Sequence, residues 1–146
     1  MRVVALFRVS TERQATEGAS LDAQERTFRA LAEKNGWTTV REFRGHESAT
    51  AAASDRRVLQ GVLGCIRETE PEAIYVHEQS RLTRGDELEV AILLRELRER
   101  RMKILVQGVA RDLESIDERF MVGIQSLVDR AESERIKERM QRGKKQ

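Results

Sequence analysis

The chain has 146 residues, with 27 Lys and Arg against 25 Asp and Glu for a formal net charge of +2, enough for one domain with a full hydrophobic core. A single cysteine, Cys65, excludes an internal disulfide framework and a cysteine-based zinc site, and no apolar run approaches the roughly 18 residues of a membrane span. With 39% hydrophobic, 36% charged and 4% aromatic residues and one proline, the chain reads as a soluble, helix-rich cytoplasmic domain rather than a β-sandwich.

Val3 to Val9 is a nearly continuous apolar run, the pattern of a strand covered on both faces. A polar stretch, Ser10 to Gly18, follows without apolar periodicity. Ser20 is placed to cap a helix whose stripe is Leu21, Phe28, Leu31 and Ala32, and which ends at Asn35-Gly36. Trp37 to Phe43 reads as a second strand, and Gly45 to Ser54 as a small, polar, mobile loop. Asp55 can cap the next helix, with Val58, Leu59, Val62, Leu63 and Ile66 inward. Pro71 breaks the chain before a third strand at Ala73 to Val76. Gln79 to Asp86 is a polar loop, Glu87 to Arg101 a helix, and Lys103 to Val109 a fourth strand. A long helix starts near Ser115.

Beyond Ala131 only Ile136 and Met140 of that helix are apolar, and Ala131 to Gln146 holds six basic and three acidic residues, net +3. That half is expected to project, to pair with a partner, or to lie along something charged. Alternating strands and helices point to an α/β fold of three layers, with a largely parallel four- or five-stranded sheet followed by the long C-terminal helix. Residues 1–113 form the core of this single domain and residues 114–142 the helix. Ligands of such sheets bind beyond the carboxyl ends of the strands, which directs attention to the loops opening at Ser10 and Gln79.

Strand alternation puts Arg8 and Ser10 on one face of an extended segment. A serine hydroxyl becomes a nucleophile only when its proton is removed and the developing charge is stabilised, and a guanidinium is well matched to phosphate oxygens. Taken alone, the pair also fits a strand-end serine capping a turn. Arg81 and Arg84 lie three apart around Leu82, which is expected to anchor their turn in the core. Arg56 or Arg57 opens the helix after the mobile loop. If Arg8, Arg56, Arg81 and Arg84 converge near Ser10, a polyanion is the natural reason to gather them, although each arginine singly fits a surface ion pair. No P-loop or dinucleotide glycine motif is present, and His77, at a strand end that could face the site, reads as a surface or structural residue. The expected chemistry is phosphoryl transfer with arginine in the electrostatic role, without metal or other cofactor.

The segments Arg8-Val9-Ser10-Thr11, Gln14, Ser20-Leu21-Asp22-Ala23-Gln24, Asp55-Arg56 with Leu59, Ser80-Arg81-Leu82-Thr83-Arg84, and Glu132 with Arg135 to Arg139 resemble, in order and spacing, the N-terminal catalytic domain of serine recombinases (resolvases, invertases and large serine integrases). The resemblance implies that Ser10 attacks a DNA phosphodiester and is joined to a 5′ phosphate. Arg8, Arg56, Arg81 and Arg84 would bind the scissile phosphate, with Gln24 supporting the site. It further implies homodimers formed through the long helix, tetramers on paired sites of double-stranded DNA, and DNA contacts from Arg135, Arg139 and Arg142. No membrane partner is expected. The Gly36-Trp37 pair and the long loop before Arg56 point toward the larger integrase or transposon type.

Two departures from the family pattern stand out. Ser80 replaces the aspartate that usually precedes Arg-Leu-x-Arg, with Glu78 a candidate substitute, and the chain is expected to be a catalytic-domain fragment without the family's DNA-binding region. The alternative reading is a non-catalytic resolvase-like dimerisation or regulatory module. A third is a small phosphotransfer enzyme, which would need a compact pocket.

Overall fold

A computed structural model describes residues 1–9, 20–46, 52–83, 87–111 and 118–144. Strand β1 (Arg2–Val9) is an interior strand, buried from Val3 to Val9. Helix α1 (Leu21–Asn35) begins at Ser20, whose hydroxyl accepts from the Ala23 N–H at 3.2 Å. It ends at Gly36, which takes the left-handed conformation at φ 69°, a position that favours glycine. The Trp37 N–H then closes on the Ala32 carbonyl at 2.9 Å. Strand β2 (Thr38–His46), helix α2 (Ala52–Thr69), strand β3 (Ala73–Val76), the short helical turn α3 (Ser80–Thr83) and helix α4 (Glu87–Glu99) follow. Strands β4 (Lys103–Val106) and β5 (Val109–Arg111) precede helix α5 (Glu118–Lys144).

The sheet order is β2-β1-β3-β4-β5. All neighbouring pairs are parallel except β4 with β5. Period-2 alternation divides β1 between two cores. Val3, Ala5 and Phe7 pack with Tyr75, Leu105, Phe28 and Ala32 under α1. Val4 and Leu6 pack with Leu59, Val62, Ile66, Leu93, Leu94 and Leu97 under α2 and α4. Helices on both faces make the three layers that the alternation of elements predicts, and the even-numbered side of β1 faces α2. Arg8 continues that side.

Several boundaries differ from the sequence expectation. The span Lys103–Val109 is not one strand: β4 stops at Val106, and β5 turns back antiparallel, pairing Val106 with Val109. Helix α4 ends at Glu99 because Arg101 turns left-handed at φ 54° and the Met102 N–H reaches the Leu97 carbonyl at 3.0 Å, a Schellman exit. Strand β2 continues past Phe43 to His46, and α2 starts at Ala52. Gly45 allows this close approach, since a Cβ there would meet Val58 of α2 at 3.1 Å. Asp55 therefore lies within the first turn of α2 instead of capping it.

The outer edge of β2 is tied to α1 by surface ion pairs. Arg44 meets Asp22 at 2.5 Å and Glu25 at 3.2 Å, and Arg29 meets Glu42 at 3.3 Å. Arg44 holds the Asp22 carboxyl below the usual carboxylate range, first through its hydrogen bond and then through its charge. Charges along an exposed edge also discourage pairing with a foreign strand.

Helix α5 packs along α4, with Arg95 Nη1 3.0 Å from Glu132 Oε1. Glu134, Arg135 and Glu138 of its charged half line a cleft with Arg56 and Gln60 of α2 and Leu88 and Glu89 of α4. Ile136 and Met140 remain 56% and 65% exposed.

Candidate active site

Between β1 and β3 the direction of winding reverses: β2 lies to one side of β1, and the remaining strands lie to the other. In open parallel sheets, ligands occupy the crevice beyond the carboxyl ends at such a reversal. The carboxyl end of β1 carries Arg8 and Val9, and that of β3 leads through His77 and Glu78 into α3. The strand ends that lead to both loops singled out in the sequence therefore border the same crevice.

Arg8 is fully buried. Its Nη2 donates to Asp55 Oδ1 at 2.7 Å, and its Nη1 donates to the Arg81 carbonyl at 2.5 Å. From the α1 side, the Gln24 carboxamide accepts from the Arg8 N–H at 3.3 Å and donates to the Arg8 carbonyl at 3.0 Å. The β3 ladder along β1 ends at Leu6 paired with Val76, so Gln24 supplies backbone partners just past the point where that neighbouring strand stops. Gln24 itself is 1% exposed. Arg8, Gln24 and Arg81 are thus brought together, and Asp55 joins them.

The Arg81 turn is built on Leu82, which is fully buried in the α2–α4 core as its place between two arginines predicts. Backbone bonds from the Arg81 N–H to Glu78 and from the Leu82 N–H to Gln79, both 3.0 Å, wind the turn. The Gln79 to Asp86 segment is accordingly not wholly loop. Arg81 Nη2 lies 3.9 Å from Glu78 Oε2, and the Ser80 hydroxyl donates to the same oxygen at 3.4 Å. Glu78 thus brings a carboxylate to the arginine that follows Ser80. Burial, with some help from Arg81, holds the half-buried His77 below the ordinary histidine range, while Glu78 opposes that shift.

Arg56 follows Asp55 in α2, and the two point differently: Asp55 is 1% exposed, whereas Arg56 is exposed. Arg56 lines a cleft of about 500 Å³ with Gln60, Leu88, Glu89, Glu134, Arg135 and Glu138, bounded by α2, α4 and α5. Arg135 shares that cleft, and Arg139 is exposed on α5. Ser10, Gln14 and Arg84 lie outside the described residues, as does the side chain of Arg142. Among the described residues no group of three or more His, Cys, Asp or Glu side chains is arranged to hold a metal ion. No described helix is long and apolar enough to cross a membrane.

The residue that sequence reasoning misassigned is Asp55. Its signal was present: an acidic residue immediately before a candidate arginine, three positions before Val58 and so on the same side of α2 as the inward stripe that begins there. Reading it as a cap left the Arg8 charge without a partner. The structure supplies one, so the gathered cations are partly neutralised from within.

Comparisons with known proteins agree with this architecture. In the solved structures, the chain resembles the N-terminal catalytic domain of TP901-1 integrase, with 21% identity and a TM-score of 0.58 over 94% of this chain and 99% of that one. A resolvase family site-specific recombinase from Streptococcus pneumoniae matches with 21% identity and a TM-score of 0.54 over 98% and 95% of the two chains. The C-terminal catalytic domain of ISC1926 TnpA, an IS607-like serine recombinase, matches with 18% identity and a TM-score of 0.54 over 88% and 80%. At these identities the likeness establishes the fold. No curated protein matches the chain. The family model described as "Resolvase, N terminal domain" matches residues 3–146, and the chain belongs to that family.

Proposed function

We propose that this chain is the catalytic domain of a serine site-specific recombinase, cutting and rejoining duplex DNA through a covalent bond between Ser10 and a 5′ phosphate. The observation that carries the reading is the convergence of Arg8, Gln24 and Arg81 on the carboxyl end of β1, immediately before Ser10 in the sequence. Family membership and the likeness to recombinase catalytic domains support the same reading.

In this reaction the Ser10 oxygen attacks phosphorus, and the bond from phosphorus to the 3′ oxygen breaks. The serine proton ends on the departing 3′ oxygen. One phosphate ester replaces another, so attack by the freed 3′ hydroxyl reseals the strand and regenerates serine without an outside energy source. Arg56, Arg81 and Arg84 supply positive charge to the phosphoryl oxygens as charge builds there. Arg8, held inside the protein, supports them from behind. Arg135, Arg139 and Arg142 of α5 contact the backbone of the flanking duplex, a sequence-independent contribution that weakens with salt. Dimers form through α5, where Ile136 and Met140 lack cover in the single chain, and tetramers assemble on paired sites.

The test is incubation of the full protein with a supercoiled plasmid library carrying random inserts, stopped with detergent. DNA ends covalently held by protein are recovered, sequenced and rebuilt as end-labelled duplexes. Attachment at the 5′ phosphate makes the 3′-labelled fragment migrate with protein, and Ser10→Ala abolishes that species. Absence of any adduct from the wild type moves the reading to a non-catalytic resolvase-like module.

A further inference from the structure

We propose that Asp55 is a positioning residue for strand cleavage, acting through Arg8 to hold the start of α2 against the α3 turn. The inference rests on the function proposed above. One guanidinium engages two segments that lie 47 and 73 residues away in sequence, through Asp55 Oδ1 at 2.7 Å and the Arg81 carbonyl at 2.5 Å. A guanidinium is a rigid planar fork, so the acceptors on its two terminal nitrogens are held at a fixed separation and angle. Asp55 immediately precedes Arg56, and the carbonyl that Arg8 takes belongs to Arg81. The fork therefore sets the spacing between two of the arginines proposed to hold phosphate.

Asp55 is 1% exposed, out of reach of DNA, and so acts through Arg8 and not on the substrate. Arg8 is in turn immobilised at its backbone by Gln24, which leaves its guanidinium as the adjustable link and Asp55 as the group that fixes it. Fold stability alone is a poor reason to keep such a pair, because two buried charges often stabilise no better than well-packed apolar side chains. A neutral or displaced partner would let the α2 start and the α3 turn drift relative to each other, and misplacement of about 1 Å costs on the order of 100-fold in rate.

The experiment uses the full protein and the 3′-labelled duplex obtained from the adduct test. Asp55→Asn, Arg8→Lys and the double variant are first checked by thermal melting, then assayed for adduct formation over a range of duplex concentrations. The expected result for folded Asp55→Asn is a fall of about 100-fold in cleavage rate at saturating DNA, with half-saturation unchanged. In the Arg8→Lys background, Asp55→Asn costs no further rate. Wild-type rate in folded Asp55→Asn, or its full additional loss in the Arg8→Lys background, overturns the inference while leaving the proposed function standing. If Asp55→Asn does not fold, Asp55→Glu is read in its place: the carboxylate moves by one methylene, the expected rate is slow, and a wild-type rate overturns the inference. No adduct from the wild type overturns the proposed function, and this inference falls with it.

Discussion

Gln24 grips Arg8 by both backbone groups at once, accepting from its N–H at 3.3 Å and donating to its carbonyl at 3.0 Å. A helix side chain thus completes the backbone of a strand that its neighbour β3 has already left. Gln24→Leu keeps the bulk and removes both bonds, so we expect a loss of about 1–3 kcal/mol, the scale of leaving buried polar groups unsatisfied. Urea unfolding followed by the fluorescence of Trp37, the single tryptophan, checks it. Gln24→Glu keeps the acceptor but sets a buried carboxylate oxygen against the Arg8 carbonyl, and is expected to cost at least as much as Gln24→Leu at neutral pH.

The buried and surface ion pairs should behave differently. Arg8→Met removes the buried partner of Asp55 and is expected to cost roughly 3–5 kcal/mol. Arg44→Ala, which breaks contacts to Asp22 and Glu25 at the surface, is expected to leave the unfolding midpoint nearly unchanged, because water screens such pairs. Denaturation curves of the two variants under one buffer decide the ordering.

Tyr75 is fully buried in an aromatic cluster with Phe7, Phe28 and Trp37, and burial pushes its hydroxyl up to about 12. In the unfolded chain it ionises near its ordinary value of about 10. The folded state therefore holds the proton more tightly, and stability falls as pH rises through the interval from about 10 to 12. Tyr75 is the one tyrosine, so absorbance at the tyrosinate band reads it directly. Ionisation is expected well above 10 and together with loss of the Trp37 signal, and independent ionisation near 10 would contradict the burial.

His77 gives the acid-side counterpart. Desolvation lowers its folded value, Glu78 raises it and Arg81 lowers it. Stability linked to this group is complete above the unfolded value of about 6.5 and declines as pH falls through the lowered folded value, since the unfolded chain binds the proton first. His77→Gln is expected to flatten the urea midpoint against pH below 6.5, and an unaltered slope would assign the dependence to other groups.

The carboxylate at Glu78 can be tested apart from the fold. It reaches both Ser80 and Arg81 but is half exposed, so Glu78→Gln is expected to change stability by less than about 1 kcal/mol. If it orients Arg81 as the missing aspartate would, adduct formation slows, and unchanged cleavage counts against that role.

Much of the fold follows from simple periodicities. The apolar run at β1, the stripes of α1, α2 and α4, and the Ser20 and Gly36 boundaries all appear where local rules put them, because each depends on near neighbours. The β4–β5 reversal was not legible, since Gln107-Gly108 sits inside a run with the β-propensity of a single strand. The site divides in the same way. Leu82 between two arginines disclosed which turn is anchored in the core, and alternation gave the side of β1 to which Arg8 belongs. The Arg8–Asp55 pair was hidden because it joins residues 47 apart through the packing of α2 on the sheet, and Asp55 satisfies the local rule for a helix start equally well.

The most direct test is to locate the covalent bond itself. Adducts from the wild-type protein, trimmed with nuclease and digested with trypsin, should yield the peptide from Val9 to Arg13 carrying a nucleotide phosphate on Ser10. A nucleotide found on another side chain, or DNA cleavage with no modified peptide at all, would contradict the assignment of Ser10 as the attacking group.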